Sequence, residues 1–171
     1  MFGRVCAPVN LGFHPQGVSG MDVLKLLKKD HLTVQSLFNK FERTGKASHE
    51  KRDELFVQIR RELQIHSRVE EELFYPAIKS ANGEGRRLVS EALKEHKDVD
   101  ELLTQISRLK PSDKNYDDKV ETLIENVEHH VEEEEGEIFQ FATENYSAEQ
   151  LEDLGREIEE RKRTLDQQMA A

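Results

Sequence analysis

Two segments of this chain recur, and the recurrence limits what it can fold into. "KKDHLTVQSLF" (28–38) aligns without gaps with "LKEHKDVDELL" (93–103), so that His96 follows His31 by 65 positions. "IHSRVEEELFYPA" (65–77) aligns with "HHVEEEEGEIFQF" (129–141) at an offset of 64, placing His130 on His66 and Glu134 on Glu70. The chain therefore reads as two similar helical hairpins. Each contributes one His and then a His-x-x-x-Glu pair.

From Met21 onward apolar residues recur at three-and-four spacing, the period of an amphipathic helix. The pattern predicts helices over 21–44, 49–79, 84–109 and 116–144, and a shorter fifth helix to about residue 168. Ser48 is the expected N-cap of the second helix, and Pro76 falls in its last turn. Asn82-Gly83 and "KPSDKN" (110–115) turn the chain, and "SAEQ" (147–150) has the form of a capping box. Short loops between long helices favour an all-α, up-down-up-down four-helix bundle with a C-terminal fifth helix. The first 20 residues hold four of the nine Gly and two of the four Pro. They are read as a disordered arm in which Cys6 and His14 have no role. Residues 21–144 then form the bundle, and 145–171 a helix that packs on it or extends from it.

Composition narrows the partners. The 171 residues suit one domain, and 35% charged against 36% hydrophobic residues suits a charged exterior over thin apolar seams. Asp plus Glu number 35 against 25 Lys plus Arg, a net charge of -10, which opposes binding to nucleic acid or an anionic membrane. A single Cys excludes an internal disulfide framework and suits a reducing cytoplasm. No run approaches the ~18 apolar residues of a membrane span.

The spacing of His66 and Glu70 is common by itself: His49/Asp53, His96/Asp100 and His129/Glu133 share it. Helix phase discriminates among them. The stripe through helix two reads Ile59, Leu63, His66, Glu70, Leu73, Ala77, and that through helix four Leu123, Val127, His130, Glu134, Ile138, Phe141. Helix three gives Val89, Ala92, His96, Val99, Leu103, Ile106, and helix one Leu24, Leu27, His31, Val34, Phe38, Phe41. Counting residues from the connecting loops at about 1.5 Å each puts these polar groups within a turn or two of one height. A buried carboxylate is costly unless it is paired or binds metal. An ordinary buried polar residue with a local partner explains one such His, but hardly four His and two Glu in a duplicated pattern. Four imidazoles and two carboxylates could instead hold two cations, with Glu70 and Glu134 bridging.

The remaining polar groups fall outside that stripe. His129 shares a face with Thr122, Glu125, Asn126 and Glu133, which reads as solvated. His49 begins helix two, about 25 Å along the axis from His66. Asp100 lies one step off the stripe of helix three and is at most an outer partner. Nitrogen and oxygen donors without thiolate disfavour structural zinc, iron–sulfur and copper electron-transfer sites, and calcium would want more oxygen. Iron, manganese or zinc fits the set. The Glu-x-x-His pairs of ferritin-like centres are absent.

Taken together, "DH" (30–31), "HSRVEEELFYP" (66–76), "EH" (95–96) and "HVEEEEGEIF" (130–139) resemble the hemerythrin-like family of HHE cation-binding proteins over about 21–144. The resemblance implies two iron ions, oxo- or hydroxo-bridged, held by His31, His66, Glu70, His96, His130 and Glu134. It also implies a small ligand: O2, H2O2 or NO. Gln140 departs from the Pro that often follows "IF" in the family. The fifth His of oxygen-carrying hemerythrins has no clear counterpart, so reversible oxygen transport is the less expected use. The expected activities are peroxide disproportionation or reduction of a small oxidant. An iron- or oxygen-responsive sensor or an iron-binding module without turnover is the alternative.

Overall fold

Asp22 opens the first helix, its side chain accepting from the Lys25 amide at 3.0 Å. In the computed structural model, which describes residues 21–170, helices α1 (Val23–Arg43), α2 (His49–Val69), α3 (Tyr75–Ala81), α4 (Gly83–Ile106), α5 (Tyr116–Glu133), α6 (Phe139–Asn145) and α7 (Ala148–Ala170) follow in order. The expected N-terminal arm, with Cys6 and His14, lies outside the described residues. Among those described there is no strand, and no helix is long and apolar enough to cross a membrane.

The expected second and fourth helices are each interrupted. A π turn at Glu70–Phe74 joins α2 to α3, and another at Glu134–Ile138 joins α5 to α6. In each, the carbonyl of the Glu accepts from the amide five residues on, Tyr75 in one case and Phe139 in the other. The wide turn shifts the inward stripe by one position. Leu73 and Ala77, expected in the core, are only half-buried; Phe74, Tyr75 and Ile78 take their place. The four bars α1, α2–α3, α4 and α5–α6 form the bundle, and α7 lies against α1 and α2.

Loop chemistry accounts for most of the ends. Asn82 caps α4 by accepting from the amides of Glu84 and Gly85. Ser147 and Gln150 make the reciprocal bonds of a capping box at the start of α7. Ser48 precedes α2 but makes no side-chain cap bond. That end is fastened instead by buried Arg52, which donates to the Thr44 carbonyl at 3.1 Å, pairs with Asp117 and lies 4.1 Å over the Phe41 ring.

The apolar interior is in two pieces. One cluster contains Leu27, Val69, Phe74, Ile78, Val89, Ala92, Ile138 and Ile158; the other contains Val34, Phe38, Ile59, Leu63, Val99, Leu103, Leu123 and Val127. His31 lies between Leu27 and Val34 on its helix, His66 between Leu63 and Val69, and His96 between Ala92 and Val99. A polar layer thus crosses the bundle and divides its core.

Candidate metal centre

His31, His66, Glu70, His96, His130 and Glu134 are all buried in that layer. They form two overlapping groups whose donor atoms lie within 4.8 Å of one another: His31, His66, Glu70 and Glu134, and Glu70, His96 and His130. Glu70 belongs to both. Its Oε1 is 3.1 Å from His66 Nε2 and its Oε2 is 3.3 Å from His96 Nε2, while Glu134 Oε2 is 3.2 Å from His31 Nε2. None of these three oxygens is in hydrogen-bonding geometry, so each is buried without a partner. The imidazoles are equally crowded, with His31 Nε2 and His66 Nε2 3.2 Å apart and His96 Nε2 and His130 Nε2 3.2 Å apart.

The outward nitrogens explain the orientation. Each Nδ1 faces a carboxylate on a neighbouring bar: His31 with Glu135 at 2.9 Å, His66 with Asp30 at 3.4 Å, His96 with Glu71 at 3.0 Å and His130 with Glu95 at 2.8 Å. With Nδ1–H donated outward, the Nε2 lone pair points into the layer. Lone pairs and carboxylate oxygens converging without protons repel one another, and a cation between them removes the conflict. The donor set therefore fits bound metal. Without metal, burial works against the charge on His66, yet Glu70 and Asp30 outweigh it and hold the imidazolium up to about 10. Burial likewise opposes the charge on His96, which Glu70 and Glu71 push up to about 9. Glu70 is held well below the usual carboxylate range against its burial, chiefly by His66.

The repeat is imperfect where it matters. Tyr75 and Phe139 occupy matching places after the two π turns. The Tyr75 hydroxyl donates to Glu134 Oε1 at 3.2 Å and lies 3.2 Å from His96 Nε2. Burial, then the Glu134 and Glu70 charges, push its phenol well above its ordinary value, so it remains a donor. Phe139 instead stacks on His31 with ring centroids 6.1 Å apart. Tyr75 occupies one oxygen of Glu134, so Glu70 alone offers free oxygens to both groups. On the opposite side a cavity of ≈ 20 Å³ lies between the four imidazoles and a wall that includes Val34, Leu63, Val99 and Val127.

Residues set aside by phase are elsewhere. His129 is 62% exposed and faces Glu133 at 3.3 Å. His49 and Asp100 are exposed. Asp30, Glu71, Glu95, Glu135 and Tyr75 carry no expected role from the sequence pattern, although Asp30 and Glu95 stand in the quoted "DH" and "EH". The repeat carries a signal for four of them, since Asp30 aligns with Glu95 and Glu71 with Glu135.

The chain belongs to the hemerythrin HHE cation-binding domain family, whose profile matches residues 22–142. It is similar to a hemerythrin HHE cation-binding domain-containing protein from Mycobacterium kansasii, whose crystal structure superposes with a TM-score of 0.75 at 28% identity over 85% of this chain and 87% of that one. It is also 32% identical over 167 residues to a protein from Nostoc sp. named DNA nickase, a match covering 98% of this chain and 46% of that protein. The chain thus spans under half the length of this relative. Family and donor set together support metal binding.

Proposed function

We propose that this chain holds two iron ions in the polar layer and uses them to bind or turn over a small oxidant: O2, H2O2 or NO. The reading rests on the three unpartnered carboxylate oxygens, Glu70 Oε1 and Oε2 and Glu134 Oε2, buried beside four inward imidazole nitrogens. His31, His66 and Glu134 would hold one ion and His96 and His130 the other, with Glu70 shared. Bound iron would supply a reversible change of charge and open positions for a ligand. Manganese or zinc suits the same donors.

The chain's own residues define what reaches that centre. The cavity on the imidazole side exceeds the roughly 10–15 Å³ that one water needs, so it suits a ligand of two or a few atoms. Its valine and leucine wall favours a neutral guest and excludes bulk water. The Tyr75 hydroxyl holds a proton at the edge of the layer, within reach of Glu134 Oε1 and His96 Nε2. These features suit peroxide disproportionation or oxidant reduction in the cytoplasm; a sensor or iron store would use the same centre without turnover.

The name of the Nostoc relative supplies a second reading, cutting of one DNA strand. A net charge of -10 opposes the approach of DNA, which makes it the weaker one. Metal content by mass spectrometry of wild type and Glu70→Ala, followed by oxygen release from H2O2, tests the first reading. Two irons per chain and turnover are expected in wild type, both lost in the variant. Absence of metal, with melting unchanged on adding iron, would sink it. Relaxation of supercoiled plasmid by wild type but not Glu70→Ala would favour the second.

A further inference from the structure

Helix α7 begins after the 22–142 family match ends, yet it reaches the polar layer. Its seat is tight. Ile158 is fully buried, and a Cβ on Gly155 would stand 2.3 Å from the Met21 carbonyl oxygen, so α7 crosses the start of α1 at backbone contact. One turn beyond Ile158, two successive cations turn inward. Lys162 Nζ pairs with Asp30 Oδ1, whose other oxygen faces His66 Nδ1. Arg161 donates to both oxygens of Glu72, at 2.6 and 3.2 Å, within the π turn that begins at Glu70.

Among the four carboxylates that face an imidazole Nδ1, Asp30 alone is buried. Its contact to His66, at 3.4 Å, is also the longest of the four. The orientation of His66 therefore depends most on what holds its carboxylate, and that is a side chain from α7. Glu135 is held differently, by Lys28 at 2.7 Å from α1 itself.

We infer that the C-terminal helix is a working part of the metal centre, with Lys162 as a positioning residue that sets Asp30 against His66. Arg161 steadies the π turn bearing Glu70. This rests on the reading of His66 and Glu70 as metal ligands. Without Lys162 the Asp30 carboxylate is free to swing, and the His66 ring loses its stop.

The test is a titration of the full-length, metal-free chain with Co2+, followed by visible absorption and chelator competition. Lys162→Met should bind about tenfold more weakly, at the lower end of losses on removing an outer partner of a metal ligand, with an altered absorption envelope. The melting temperature of its metal-free form should match wild type. Lys162→Arg should recover most of the affinity, and Arg163→Met, at a side chain 70% exposed, should bind as wild type does. In the Asp30→Asn background, Lys162→Met should cost nothing further, because the lysine acts through Asp30. Unchanged affinity in Lys162→Met, or weakening matched by an equal fall in metal-free melting and not rescued by arginine, would overturn the inference alone. Failure of wild type to bind Co2+ would overturn the ligand reading as well.

Discussion

Burial alone would strip His66 of its proton, but Glu70 and Asp30 reverse that and raise its imidazolium to about 10. A group raised above its unfolded value of about 6.5 contributes stability that is complete below that pH and is lost as pH rises through the folded value. His96, raised to about 9, acts in the same direction. The melting temperature of the metal-free chain should therefore fall between pH 6.5 and 10, which scanning fluorimetry across that range would read. A flat or rising profile would contradict the proton-filled layer. The inward residues were legible because phase singles out buried polar groups. Asp30, Glu71, Glu95 and Glu135 were not, because each is next to an inward residue and so points about 100° away on its own helix. They act by reaching across to a neighbouring bar, which a pattern along one helix does not encode.

At the scale of elements, the number of bars, their order and the fifth helix follow from periodicity and turn residues. The π turns do not, since "EEELFYPAI" offers apolar residues for either phase and only the inward turn of Tyr75 decides between them. Pro76, which lacks an amide hydrogen, is a local hint that the ladder loosens there. Close approaches are equally silent in sequence. Gly85 lies in the first turn of α4, where a Cβ would stand 2.2 Å from the Ile78 carbonyl oxygen; at Gly136 nothing lies within 4 Å. Replacing Gly by Ala in an open helix stabilises by up to about 1 kcal/mol. Gly136→Ala should follow that rule, whereas Gly85→Ala should lose about 1–3 kcal/mol through overpacking. Thermal denaturation of the pair measures both signs, and equal shifts would contradict the contact at α3.

For the whole molecule, the division of the core by the polar layer has a consequence for how the chain comes apart. Each apolar cluster is built from several bars, but the two meet only across groups that repel one another when no ion or proton lies between them. Cooperative melting requires that one end cannot open without the other. Metal would supply that coupling, because the two donor groups share Glu70 and together draw on all four bars, so that metal held in either is lost once a bar of that group leaves. Calorimetry should thus find one transition in the loaded protein, with van't Hoff and calorimetric enthalpies equal. In the metal-free chain at alkaline pH, the van't Hoff value should fall below the calorimetric one as the two ends melt out of step. A single two-state transition there would show that packing alone unites them. On this account metal at the waist would make two small half-cores behave as one domain, and its release would be felt at both ends.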